Sequence, residues 1–215
     1  GQVIAQSLVA AIRTIDDDKI VHSLHAYFLR AGSEASPIRF EVARDFDGRS
    51  FANRRVVAMQ DGKAILNMVA SFHRPEPGVS HQDEMPDVPP PEALLPDEEL
   101  ASEYLERLPP EKRSAFLKPF PIEFRSVDKR HWMNDAPAKP RLRSWFRARA
   151  ALPTDPQMHR AVLAYASDYL LLGTPFLPHG LSGSEANVAS ASLDHALWFH
   201  DDIRADEWML YVTDS

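Results

Sequence analysis

The residues best suited to chemistry in this 215-residue chain fall in two similar stretches, 170 positions apart. His22-Ser23-Leu24-His25-Ala26-Tyr27-Phe28-Leu29-Arg30 aligns with Ser192-Leu193-Asp194-His195-Ala196-Leu197-Trp198-Phe199-His200, placing His25 on His195 and Ala26 on Ala196. Each stretch follows an apolar, Ala-rich segment with helical spacing. At the matching place in those segments stand Gln6 and Asp168, so only one copy holds an acid. That difference predicts one active site for the pair of repeats. Asp168 lies among Tyr165, Tyr169, Leu170 and Leu171. An apolar surround disfavours the charged carboxylate and suits it to accept a proton.

The other reactive side chains have simpler readings. Asp194-His195 has the composition of an acid–base pair, but neighbouring strand residues point to opposite faces. With His25 at the matching place in the other copy, His195 reads as structural. His22, His25, His195 and His200 lack metal-binding spacing such as HExxH, so neither metal nor cofactor is expected. Arg141, Arg143, Trp145, Arg147 and Arg149 alternate with Leu142, Ser144, Phe146, Ala148 and Ala150. On a strand this gathers four guanidinium groups and an indole on one face. Arg fits phosphate geometry and Trp stacks on planar rings, whereas a solvated sheet face explains the same pattern. Arg54-Arg55 is a weaker candidate of that kind.

The elements that must position these residues follow from periodicity. Val3, Ile4, Leu8, Ala11, Ile12 and Ile15 predict a helix with one wide buried face over 2–15. Residues 21–30 read as a strand and 37–72 as three more, with a hairpin signal at Asp61-Gly62 and a turn at Asp47-Gly48. Thirteen of the 18 prolines fall within 73–140. Such a stretch reads as a surface connection, with a short helix over Glu98–Leu108 and a strand starting near Pro121–Val127. A second unit begins at Arg141 with a strand over 141–150. A helix over Pro156–Leu172 follows, N-capped by Asp155 and stopped by Gly173 and Pro175. Strands are expected over Ala189–Phe199 and Glu207–Val212. The domain reading is therefore a first repeat over 1–72, a linker over 73–140 and an incomplete second repeat over 141–215. Both ends look abrupt, so the chain reads as a fragment.

Composition narrows the function classes. A formal charge of −7 argues against non-specific nucleic-acid binding. The sequence has no run of apolar residues long enough to cross a bilayer. The absence of cysteine excludes disulfides and a thiol nucleophile, and fits a reducing compartment such as the cytoplasm.

GQVIAQSLVAA, HSLHAYFLR, GRSFANRRVVAMQDGKAILNMVASF, YASDYLLL, PHG and SLDHALWFH occur in that order along nearly the whole chain. Together they resemble the type II (TesB-like) acyl-CoA thioesterases. The resemblance implies an α+β double hotdog, two helix-plus-antiparallel-sheet repeats forming one continuous sheet around two central helices. It implies hydrolysis of acyl-CoA to fatty acid and CoA by a positioned water, with homo-oligomerisation. Asp168 matches the family's acid and Ser192 its hydroxyl residue. The family's Gln belongs to a C-terminal strand lying beyond Ser215. Arg143, Trp145 and Arg147 become candidates for binding the CoA nucleotide. A non-catalytic acyl-CoA-binding or oligomerising hotdog module is the alternative, followed by an enoyl-CoA hydratase.

Overall fold

The computed structural model describes residues 1–16, 18–107, 113, 120–133, 136–182 and 188–215. Helix α1 spans Gln2–Ile12, as its Ala-rich composition favours. Ile4, Leu8 and Ala11 are fully buried on one face, the i, i+4, i+7 pattern of an amphipathic helix. Each large apolar side chain buried there stabilises the fold by about 1.5–3 kcal/mol. Strands β1 (Ile20–Phe28), β2 (Arg39–Asp47), β3 (Phe51–Gln60) and β4 (Lys63–His73) follow as antiparallel neighbours. The β3–β4 turn holds Asp61 at φ 49° and Gly62 at φ 74°, the left-handed pair that a two-residue hairpin requires.

Helix α2 (Asp97–Arg107) begins one residue before the expected helix, and Leu108 lies outside the described residues. Strand β5 (Ile122–Ser126) falls where the Pro-rich connection was expected to start a new sheet. Strand β6 (Arg141–Ala148) is next, with strict alternation of buried and partly exposed residues. Helix α3 spans Pro156–Ser167, with Asp155 Oδ1 accepting from the Gln157 N–H at 2.9 Å and Pro156 in the first turn. It ends five residues earlier than its periodicity suggests. Asp168 is the C-cap, and Tyr169, Leu171 and Leu172 are exposed, so continuing the helix would gain little burial. Gly173 does not stop that helix but opens a short separate one, Gly173–Phe176.

Strand β7 is confined to Asp194–Trp198, because Ser190, Ala191 and Ser192 form an exposed connection outside the ladder. Strand β8 spans Met209–Asp214. Hydrogen bonding groups the strands as a five-stranded sheet, β2-β3-β4-β1-β7, and a three-stranded sheet, β5-β6-β8. Among the described residues β7 pairs antiparallel with β1, and β8 pairs antiparallel with β6.

Two compact units result, each assembled from three separate segments. The first comprises Gly1–Gln82, Pro153–Tyr169 and Ala191–Arg204. Its core joins α1 to the five-stranded sheet through Ile4, Leu8, Val21, Leu24, Val56, Met68 and Phe72, with Ala164 contributed by α3. The second comprises Asp83–Leu152, Leu170–Ser190 and Ala205–Ser215, with Ile122, Phe124, Leu142 and Phe146 buried in it. No helix among the described residues is long and apolar enough to cross a membrane.

Candidate active site

Asp168 lies in the first unit, at the carbonyl end of α3. Its side chain is only 15% exposed and meets two groups. The Gly1 nitrogen donates to Oδ2 at 2.5 Å, and His195 Nδ1 lies 3.7 Å from Oδ1. Glycine is required at position 1 by close approach. A Cβ there would stand 2.1 Å from the Tyr165 carbonyl oxygen, well inside van der Waals contact. The start of α1 is thus packed directly on the last turn of α3. The apolar surround expected from sequence is one-sided, because Tyr169 and Leu171 are exposed.

His195 is where the structure departs most from the repeat alignment. In the β1–β7 ladder, Ala26 pairs with His195 and His25 pairs with Ala196. The two histidines therefore occupy opposite faces of the sheet. His25 is exposed and bonds Asp194 Oδ2 at 3.2 Å, beside the Tyr27 ring. His195 is buried, with Nε2 3.0 Å from Ser167 Oγ. Ser167 Oγ also lies 3.2 Å from the Ala164 carbonyl, an acceptor for its hydroxyl hydrogen. Burial pushes the imidazole pKa below its ordinary value. Asp168 and Asp194 oppose that shift. A shift of one position exchanges the faces of a strand, so these two residues at matching places in the two stretches face opposite sides of the sheet.

Ser192 lies two residues before β7, in the connection held against the end of β1 by the Phe28 N–H to Leu193 carbonyl bond of 2.9 Å. It is exposed, and it makes no hydrogen bond to Asp168. His22 Nε2 lies 2.8 Å from Ser71 Oγ, with the His73 ring edge-on at 5.0 Å. Burial and then the His73 charge hold the His22 pKa below its usual value. No group of three or more metal-ligating side chains gathers among the described residues.

The Arg-rich strand belongs to the second unit, and its guanidinium groups have carboxylate partners. Arg143 forks onto Asp128 at 2.9 and 2.8 Å. Arg125 and Arg147 converge on Glu123, and both guanidinium groups lie over the Trp208 ring, at 5.1 and 4.3 Å from its centroid. Burial would raise the Glu123 pKa, but its two arginine partners outweigh that and lower it. Trp145 Nε1 donates to the Pro89 carbonyl at 2.9 Å. Arg149 reaches Glu98 at 2.8 Å and Arg141 reaches Asp214 at 3.5 Å. The alternation is as expected, and the face it makes is occupied by internal ion pairs.

Arg54 is no surface cation. It is fully buried and donates to Thr14 Oγ1 at 2.8 Å, the Thr14 carbonyl at 3.0 Å, the Phe46 carbonyl at 3.0 Å and the Asn53 carbonyl at 2.8 Å. It also pairs with Asp47. Its charge sits just past the carbonyl end of α1, where the helix dipole favours a cation.

Two family models match the chain: the acyl-CoA thioesterase N-terminal domain over residues 1–73 and the acyl-CoA thioesterase family over 118–215. Human acyl-coenzyme A thioesterase 8 is 41% identical across all of this chain and 69% of its own length. The crystal structure of acyl-CoA thioesterase II TesB2 from Mycobacterium marinum superposes with a TM-score of 0.78 at 40% identity, covering 99% of this chain and 75% of that one. A hot dog fold protein of unknown function from Alicyclobacillus acidocaldarius superposes at 0.72 with 19% identity, covering 98% of this chain and 72% of that one, a likeness of fold alone. Identity of this order along the full chain, with both family models in sequence order, shows that the chain belongs to the acyl-CoA thioesterase family and has its hotdog fold.

Proposed function

We propose that this chain hydrolyses acyl-CoA thioesters to the free acid and CoA, using a water activated by Asp168. A thioester has an electrophilic carbonyl and a leaving thiolate whose conjugate acid has a pKa of about 8.5. Expulsion therefore needs little acid help, and the demand falls on deprotonating water and steadying the tetrahedral oxyanion. Asp168 takes the proton as the water oxygen bonds the carbonyl carbon. The C–S bond then breaks, its electron pair leaving on sulfur. Ser192 holds the same water through its hydroxyl in this reading. The observation that carries the proposal is a carboxylate 15% exposed, fixed at the end of α3 against Gly1 and His195.

Incubation with palmitoyl-CoA and a thiol-reactive dye tests it. Stoichiometric release of thiol with turnover is expected. Binding without release would instead make the chain a non-catalytic acyl-CoA module. The proposal includes one active site per chain, a homo-oligomer and a cytoplasmic setting. Sedimentation at graded concentrations and titration with a non-hydrolysable acyl-CoA check the assembly and the site count.

A further inference from the structure

We propose that His195 is a positioning residue for Asp168, anchored by Ser167 so that its Nδ1 lone pair faces Oδ1 and holds the proton that Asp168 removes from water. The inference rests on the reading of Asp168 as the base. Its geometry comes from the side chains already described. In this arrangement the Ser167 hydroxyl gives its one hydrogen to the Ala164 carbonyl at 3.2 Å and accepts an N–H from Nε2 at 3.0 Å. A buried neutral imidazole with its proton on Nε2 has none on Nδ1. Nδ1 and Oδ1 then stand 3.7 Å apart, beyond hydrogen-bond length.

Proton transfer converts that standoff into a hydrogen bond. When water attacks, its O–H bond breaks, the proton passes to Oδ1 and the oxygen bonds the thioester carbon. The acid formed at Oδ1 then donates to Nδ1, and the proton later leaves for the CoA thiolate or solvent as the C–S bond opens. No oxidant or further reactant is consumed. Around the ring, burial opposes the imidazolium, whereas Asp168 and Asp194 favour it. Protonation of Nδ1 at acid pH would make it a donor to Oδ1 and tie up the base. Activity should therefore fall on the acid side as His195 charges.

His195→Gln is the informative variant, because its amide N–H can still reach Ser167 while the ring nitrogen facing Asp168 is lost. The expected result is a kcat on the order of tenfold to a hundredfold lower, with KM little changed and the acid limb of the pH profile displaced. Ser167→Ala, a one-atom change, should lower kcat in the same direction and covers the case in which His195→Gln does not fold. Nitrogen-15 NMR of the imidazole in the unmodified protein gives a third readout, expected to show the Nε2–H tautomer. A His195→Gln enzyme with unaltered kcat and pH profile would overturn the inference, as would an Nδ1–H tautomer. Asp168→Asn assayed alongside separates the two claims. If it is inactive while His195→Gln is unaffected, only the role of His195 falls. If Asp168→Asn keeps full activity, the reading of the base falls as well.

Discussion

Ala26 and His195 face each other across the β1–β7 ladder, and that pairing puts the imidazole on the buried face of the sheet beside Asp168. Asp194, one residue earlier, pairs with Tyr27 and bonds the exposed His25. The two members of an apparent acid–base dipeptide thus serve opposite faces, and the acid that matters to His195 comes from α3.

Asp168→Asn should reduce turnover by roughly 10²–10⁴ while leaving the fold intact, because the amide has the same shape and no basic oxygen. Thiol-release kinetics with circular dichroism measure both quantities. Ser192→Ala should cost about tenfold, the loss expected from one hydrogen bond to the attacking water. Equal activity would remove Ser192 from the mechanism.

Gly1→Ala should destabilise the first unit by about 1–3 kcal/mol and lower activity with it. The added methyl would collide with the main chain of Tyr165, and flexible side chains cannot absorb that clash. Urea unfolding, with its midpoint compared to that of the unaltered protein, checks the energy.

Replacing Arg54 by Leu should lower stability by about 2–4 kcal/mol, since the Thr14, Phe46 and Asn53 carbonyls would lose their buried donor. Replacing the neighbouring Arg55, which pairs with Asp45 at the surface, should cost less than about 1 kcal/mol. A reversal of this order would refute the structural reading of Arg54.

Acid should weaken the second unit partly through Asp128. Its bond to Arg143 holds the carboxyl pKa below the usual range, burial opposes that, and further bonding to Arg143 adds to the lowering. A depressed folded-state pKa means that the unfolded chain binds the proton first. The stabilisation is therefore complete above the ordinary Asp value near 4 and is lost as pH falls through the lower folded value. Asp128→Asn should flatten the stability–pH curve at that acid end, as thermal melts at a series of pH values would show.

Much of this was legible beforehand because local chemistry and tertiary structure agree. The Asp155 cap, the Asp61-Gly62 turn, the face of α1 and the alternation of β6 are each specified by residues close together in sequence. The helix end at Ser167 and the roles of Gly1 and His195 were not legible, since they depend on contacts made across some 30 to 170 positions. Parity was the available signal for His195. Burial of Ala26 follows from the alternation of β1, and ladder register carries that face to β7, but register is set by packing rather than by likeness between repeats. The partners of the arginines were hidden for a related reason. Sequence shows where cations align along a strand but not that Asp128 and Glu123 are folded back onto them.

The four indoles are divided unevenly between the compact units. Trp198 alone belongs to the first, exposed on β7, while Trp132, Trp145 and Trp208 belong to the second. Trp208, with cations over its ring, should fluoresce differently once those partners let go. Each half of the molecule thus carries its own optical reporter, and a chain stripped of the other three indoles would reveal whether the half that bears Asp168 melts on its own schedule.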